Sequence, residues 1–590
     1  MTQAVSLATP FRRFARRAAS TLQRSLNRGC VVDGLIAVLL ASGYVTLLLA
    51  TASSIGYARD EGFYFTAARS YGAWFELLAQ DATRALEPGT VDQYFGVNHE
   101  HPALMKSLFA LSYRLFYEQL GWIRHPGTAY RLPGMLMGGM AVALTYVWAA
   151  RVIGRWPGLV AALSLAFMPR VFFHAHLACF DVPVAAMWLV TTFAYWWAVE
   201  RGGIGRALVV GVLYGLLLNT KHNAWLLPPA LVLHWVIVRG GAFWRALKAR
   251  RLLVPWPLVA MATVSPALLY ATWPWLWHDT LERLQGWYAF HRHHVYYNME
   301  FLGQTYWKPP MPRLYPWLMT AATVPLVTLL LFCIGGARAA RNLAEHGLLR
   351  RIWRRAAHRS GTQCTATHSA ELLWAMSILV SYAPWLSSGT PIFGGTKHWL
   401  TAYPFLALFA AAGYEAVASR LRLAFDSSKR LALGSKAVPV LLAACVLGGG
   451  AGGPATLGLN RTFWGTTTGS LREIINGRAA PQAAVFIHDT AYPSWTMMQR
   501  DGSLRGDLRP TLAIEDSDVA LYHHEPHMEG VEYQIWVDYR TTVPDSVGSY
   551  DGVPVVWLYR RPEVTTEDYL RGGLPRSPTT GSSASADPRR

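Results

Sequence analysis

The segment Arg59-Asp60-Glu61-Gly62-Phe63-Tyr64 follows the first long apolar run of the chain. Adjacent carboxylates at the mouth of a membrane helix suit a general base. Low dielectric and neighbouring cations tune such a group, and it can take a proton from an acceptor hydroxyl. The competing reading makes Asp60 a helix N-cap. About forty residues on comes Asn98-His99-Glu100-His101-Pro102-Ala103-Leu104-Met105-Lys106, where the proline marks a helix start and leaves Lys106 a turn inside it. Lys106 is then available to an anionic ligand, or is a lysine that snorkels. Arg131 opens a later apolar run, Asp181 enters another, and the pairs Lys221-His222 and Lys397-His398 stand at further run ends. An ionisable group inside an apolar run is costly and marks function by default. Asp60, Glu61 and Asp181 with Lys106, Arg131, Lys221 and Lys397 fit a site where a carboxylate activates an acceptor and cations stabilise a phosphate leaving group.

Histidines 99, 101, 174, 176, 222, 291, 293, 294 and 398 gather in the same segments. Imidazole suits Zn, Cu and Ni, so a divalent metal is an alternative. Their spacing matches no specific metal motif, and the expectation is a site that needs no cofactor. No Gly-rich phosphate loop is evident.

The elements that must hold these residues are membrane helices. Of 590 residues, 52% are hydrophobic and only 15% charged, with 25 Trp; soluble domains average about 25% charged. This excludes a disordered chain, a collagen and a disulfide scaffold, and five scattered cysteines without CxxC fit neither a disulfide framework nor a Cys-rich zinc site. The net charge of +19 could suggest nucleic acid, but 23 of the 54 Lys and Arg fall in the segments 1–30, 239–251, 337–360 and 419–436. Basic charge confined to short loops between apolar runs is the positive-inside pattern, so those loops read as cytoplasmic and no nucleic acid is expected.

About 20 apolar residues cross a bilayer. Such runs occur at 31–53, 130–150, 156–173, 180–199, 207–220, 223–238, 252–273, 315–335, 371–388, 399–418 and 438–457. The reading is therefore a polytopic α-helical membrane protein of about 11 transmembrane helices, the first uncleaved. A cytoplasmic basic N-terminus (1–30) precedes a transmembrane domain (31–457). Its outward loops are 54–128, expected as interfacial amphipathic helices, and 274–314, rich in aromatics and His. A small α/β unit (458–571) lies outside, with strands expected at 484–487, 533–537 and 555–559, before a disordered tail (572–590). This sets the protein in a bacterial inner membrane with the C-terminal unit periplasmic.

An Asp-Glu pair after the first span, then His-Pro-Ala-Leu-Met-Lys (101–106), then Arg131, then Asp181 resembles the protein O-mannosyltransferase family. That family, with its aminoarabinose-transferase relatives, has the GT-C fold of polytopic glycosyltransferases. The motifs cover roughly 57–225, with weaker similarity at 306–310 and 397–404. The resemblance implies inverting transfer of a hexose or pentose from a polyprenyl-phosphate donor to a hydroxyl of a protein, lipid or glycan. Asp60 matches the catalytic carboxylate, with Glu61 beside it. Lys106 and Arg131, with Lys221 and Lys397, would hold the donor phosphate; Arg59, His101, Asp181 and His222 would support them. Ala103 stands where the family has a second proline, and the β-trefoil insert of the eukaryotic enzymes is absent. The alternative is a lipid-linked sugar flippase, which needs no carboxylate and often shows internal repeats.

Overall fold

The computed structural model describes residues 28–345, 366–392, 394–424, 458–459, 467–550 and 552–562. The apolar runs become helices, because the bilayer interior leaves backbone groups no partner but their own chain. In order they are α1 (Arg28–Thr51), α2 (Arg59–Gln80), α3 (Leu104–Ser112), α4 (Pro126–Val152), α5 (Arg155–Ala166), α6 (Pro169–His176), α7 (Asp181–Arg201), α8 (Ile204–Leu218), α9 (Leu227–Lys248), α10 (Trp256–Thr272), α11 (Thr280–Arg292), α12 (Tyr315–Thr323), α13 (Leu326–Glu345), α14 (Ala366–Tyr382) and α15 (Tyr403–Ala424). Among the described residues six helices, α1, α4, α7, α9, α13 and α15, are long and apolar enough to span a membrane, and the chain is an integral membrane protein. The run at 156–173 is bent: α5 and α6 meet at 63° before Pro169. α8 and α10 are shorter apolar helices. The run at 315–335 divides into α12 and α13 at Val324-Pro325. The span expected at 438–457 and the segments 1–27 and 572–590 lie outside the described residues.

Small residues let these helices approach closely, as membrane packing requires. A Cβ on Gly335 of α13 would lie 2.0 Å from the Phe409 carbonyl of α15, and one on Gly413 of α15 would lie 1.9 Å from that of Leu331. Gly211 and Gly215 of α8 meet α10 in the same way, where Ser265 Oγ donates to the Gly211 carbonyl at 2.6 Å.

The loop 54–128 is largely helical. α2 begins at Arg59 with Ala58 as N-cap, so Asp60 lies in the first turn and is not the cap. Its buried face carries Tyr64, Phe65, Ala68, Tyr71 and Trp74. The loop 274–314 supplies α11 and an antiparallel hairpin of β1 (Met299–Phe301) and β2 (Gln304–Tyr306).

The C-terminal unit is a five-stranded mixed sheet with helices α16 (Thr467–Arg478), α17 (Tyr492–Arg500) and α18 (Glu529–Tyr539). Its strands are β3 (Ala484–Ile487), β4 (Arg509–Thr511), β5 (Val519–His523), β6 (Ser546–Tyr550) and β7 (Val553–Arg560), ordered β4-β3-β5-β7-β6. β4, β3 and β5 are parallel; β7 and β6 add antiparallel. The expectation of a strand at 533–537 is corrected: that run lies in α18. Glu529 and Glu532 occupy the first turn, where the helix dipole favours acids, and Ile535 and Tyr539 bury one face. This unit rests on the loop 54–128. A Cβ on Gly56 would lie 2.3 Å from Gly469 Cα, and Ser494 Oγ donates to the Ala58 carbonyl at 2.8 Å.

Candidate active site

Four elements meet at the mouth of the helix bundle: the start of α2, the start of α4, the 177–181 turn into α7, and the 394–398 turn before α15. Buried Cys179 registers their convergence. Burial, then the charges of Glu61, Asp181 and Asp60, push its thiol well up.

Glu61 is fully buried at the third position of α2. Its carboxylate accepts from the Ala58 N–H at 2.9 Å, closing the helix start, and from the Ala178 N–H at 2.8 Å. Arg131 completes the set bidentately, with Nε at 2.8 Å and Nη2 at 2.7 Å. The remaining donors of Arg131 reach the carbonyls of Ala52, Ile55 and Gly56, and its guanidinium lies 4.3 Å over the Tyr57 ring. Every donor of Arg131 is therefore engaged. Acid and arginine, expected as a carboxylate beside the base and a phosphate ligand, form a buried clamp that pins α2 to α4.

Asp60, one residue earlier on the helix, faces outward. Its side chain is 24% exposed, with Arg59 Nε at 3.7 Å and Lys397 Nζ at 3.6 Å. Asp181 is buried, takes Lys221 Nζ at 2.6 Å and has His174 Nδ1 at 3.4 Å. Lys106 is buried on α3; its ammonium donates to the carbonyls of Asn98 at 2.5 Å and His101 at 2.8 Å, and burial pushes its pKa down to about 7. Lys106 thus braces the loop that carries His101.

His101, His222 and His291 gather beside these groups. The rings of His222 and His291 stack with centroids 4.0 Å apart, and His101 lies 6.4 Å from each. Burial first, then Lys106 and Lys221, push His101 well down, and His291 falls to about 4, so both are neutral near pH 7. Among the described residues no group of three or more His, Cys, Asp or Glu is arranged to hold a metal ion.

Sequence reasoning passed over two contributors. Arg170, at the bend between α5 and α6, has no ion pair among the described residues and lies near the phenols of Tyr315 and Tyr403. Its signal is a charge inside an apolar run. Asp489 of the C-terminal unit accepts from Arg59 Nη1 at 2.9 Å. Its signal is its place just after a β-prone run.

Residues 100–270 match the family described as dolichyl-phosphate-mannose-protein mannosyltransferase. That range holds Lys106, Arg131, Asp181 and Lys221; Asp60, Glu61 and Lys397 fall outside it. No curated protein sequence matches. Among solved structures, the chain is similar to ArnT from Cupriavidus metallidurans bound to undecaprenyl phosphate, at 15% identity over 89% of this chain and 98% of that one, TM-score 0.45. It is also similar to the oligosaccharyltransferase of Archaeoglobus fulgidus in the apo form, at 10% identity over 85% and 71%, TM-score 0.41. The archaeal oligosaccharyltransferase AglB from Archaeoglobus fulgidus, in complex with an inhibitory peptide and a dolichol-phosphate, matches at 10% identity over 84% of this chain and 70% of that one, TM-score 0.41. The match to the mannosyltransferase family thus spans residues 100–270, the range that brings Arg131, Asp181 and Lys221 to the mouth of the helix bundle.

Proposed function

We propose that this protein transfers a sugar from a polyprenyl-phosphate donor to an acceptor hydroxyl at the outer face of the inner membrane, with Asp60 as general base. The N-terminus is then cytoplasmic and the C-terminal unit periplasmic. One observation carries the reading. Of the three carboxylates at the bundle mouth, Glu61 and Asp181 are buried against direct partners, whereas Asp60 is partly exposed with only long ion pairs. It alone is open to an incoming hydroxyl. As the acceptor oxygen bonds to C1 from one side, its proton passes to Asp60. The C1–O bond to phosphate breaks on the other side, the electron pair leaves with the polyprenyl phosphate, and the sugar inverts. Lys397, Lys221 and Arg170 are the cations we assign to the growing charge on phosphate. Lys106 and Arg131 act one step back, by holding the loops in place. The sugar is a hexose or pentose, and the acceptor a protein, lipid or glycan.

The matching family's description names a dolichyl-phosphate sugar, and the ArnT and AglB structures hold undecaprenyl phosphate and a dolichol-phosphate, which agrees with a lipid-phosphate leaving group. The test uses purified protein in liposomes, a panel of undecaprenyl-phosphate hexoses and pentoses, and a crude acceptor extract. Release of undecaprenyl phosphate with one donor, and an inverted anomeric linkage in the product, is expected. Movement of a donor across the bilayer without release would overturn the reading in favour of a flippase.

A further inference from the structure

The C-terminal sheet ends in a chain of charges that runs to Asp60. Asp489 lies just past β3 and His523 ends β5. Both sit at the carboxyl ends of parallel strands, the side of an α/β sheet where sites assemble. Asp489 holds φ 55°, a left-handed conformation uncommon outside glycine, of the kind that persists where surrounding structure imposes it. That conformation aims one oxygen at His523 Nδ1, 3.0 Å away, and the other at Arg59 Nη1, 2.9 Å away. His523 is fixed in turn, since its backbone N–H donates to His488 Nδ1 at 3.0 Å. The side chains of Asp489 and His523 are 11% and 3% exposed, so the sheet end of this network is largely desolvated, while the Arg59 side chain is 45% exposed. Arg59 faces three groups: Asp489, Asp60 and the Tyr297 phenol. Asp489 faces Arg59, His523 and His488.

Arg59 therefore stands between two carboxylates and makes its short contact with the one from the C-terminal unit. We propose that Asp489 is a positioning residue for the transfer reaction: it draws the Arg59 guanidinium toward the sheet, so that Asp60 keeps long ion pairs and an open oxygen for the acceptor. The C-terminal unit is then part of the catalytic apparatus. This rests on the reading of Asp60 as the base. Without the charge on Asp489, Arg59 has one carboxylate left nearby and closes on Asp60, covering the oxygen that must meet the hydroxyl.

Asp489→Asn tests this, because Asn keeps the shape and tolerates the left-handed backbone. The full chain in liposomes is assayed for undecaprenyl phosphate release from whichever undecaprenyl-phosphate sugar the unsubstituted protein uses. The expected result is a kcat lowered about ten- to hundredfold with donor KM changed less than about twofold. In the double variant with Arg59→Gln the loss from Asp489→Asn disappears, leaving kcat within about threefold of Arg59→Gln alone. Unchanged thermal midpoints separate this from a loosened fold. An unaltered kcat in Asp489→Asn, or a double variant that loses the product of the two single effects, overturns the proposal. If Asp60→Asn stays active, or the unsubstituted protein releases nothing from any donor, the base assignment falls and takes the inference with it.

Discussion

Glu61 and Arg131 are adjacent in role to Asp60 and opposite in energetics. Removing one partner of a buried, hydrogen-bonded ion pair leaves an uncompensated charge, at a cost of about 3–5 kcal/mol. Glu61→Gln is therefore expected to lower the thermal midpoint in detergent strongly, whereas Asp60→Asn leaves it close to that of the unsubstituted protein. The opposite ranking would mean that Asp60, not Glu61, holds α2 in place. Residue types and spacing made this constellation visible in the sequence: Asp60, Glu61, Arg131, Asp181, Lys221 and Lys397 do converge. Which carboxylate remains open was not visible. Neighbours in sequence look alike, but a step of one residue, about 100° around the helix, directs Glu61 inward to Arg131 and Asp60 outward.

At the scale of elements, glycines set how closely helices approach. Gly413→Ala places a methyl against the Leu331 carbonyl, with 1.9 Å available. Overpacking of this kind costs about 1–3 kcal/mol. Gly336→Ala, on α13 itself, meets nothing within 4 Å and is expected to stabilise by about 0.5–1 kcal/mol through helix propensity. Thermal midpoints that move in the same direction for both would contradict the packing assigned to α13 and α15. Hydropathy made the helices legible because lipid leaves the backbone no alternative. It did not reveal the breaks at Pro169 and Val324-Pro325, since an apolar run reads the same straight or bent. Strand propensity, in turn, misread Tyr533-Gln534-Ile535-Trp536-Val537. Those residues favour strands, but the acids at the start of α18 and the spacing of Ile535 and Tyr539 place a helix against the sheet.

The molecule as a whole is a helix bundle capped by a sheet, and the cap is held by contacts that titrate. Asp501 meets the start of α4, accepting from the Gly127 N–H at 3.2 Å and from the Tyr57 hydroxyl. Burial raises its carboxyl from 3.8 to about 7. A group raised on folding stabilises most below its unfolded pKa, and that contribution is lost as pH rises through the folded value. The cap is therefore expected to seat more firmly near pH 5 than near pH 8. Asp501→Asn should flatten that dependence, as read by protease cleavage between the two units. Firmer seating at pH 8 would contradict it. None of these contacts was legible in the sequence, because Asp501 and Gly127 are joined only by the tertiary fold.

The central claim is that Asp60 takes the acceptor proton. Its most direct test compares Asp60→Asn with the unsubstituted protein, both folded in liposomes, for release of undecaprenyl phosphate in the presence of acceptor. The account predicts a loss of about 10²–10⁴-fold in kcat, the usual contribution of a positioned base, with the thermal midpoint unchanged. Release within about threefold of the unsubstituted rate would contradict it, since a lost general base cannot leave the rate so nearly intact.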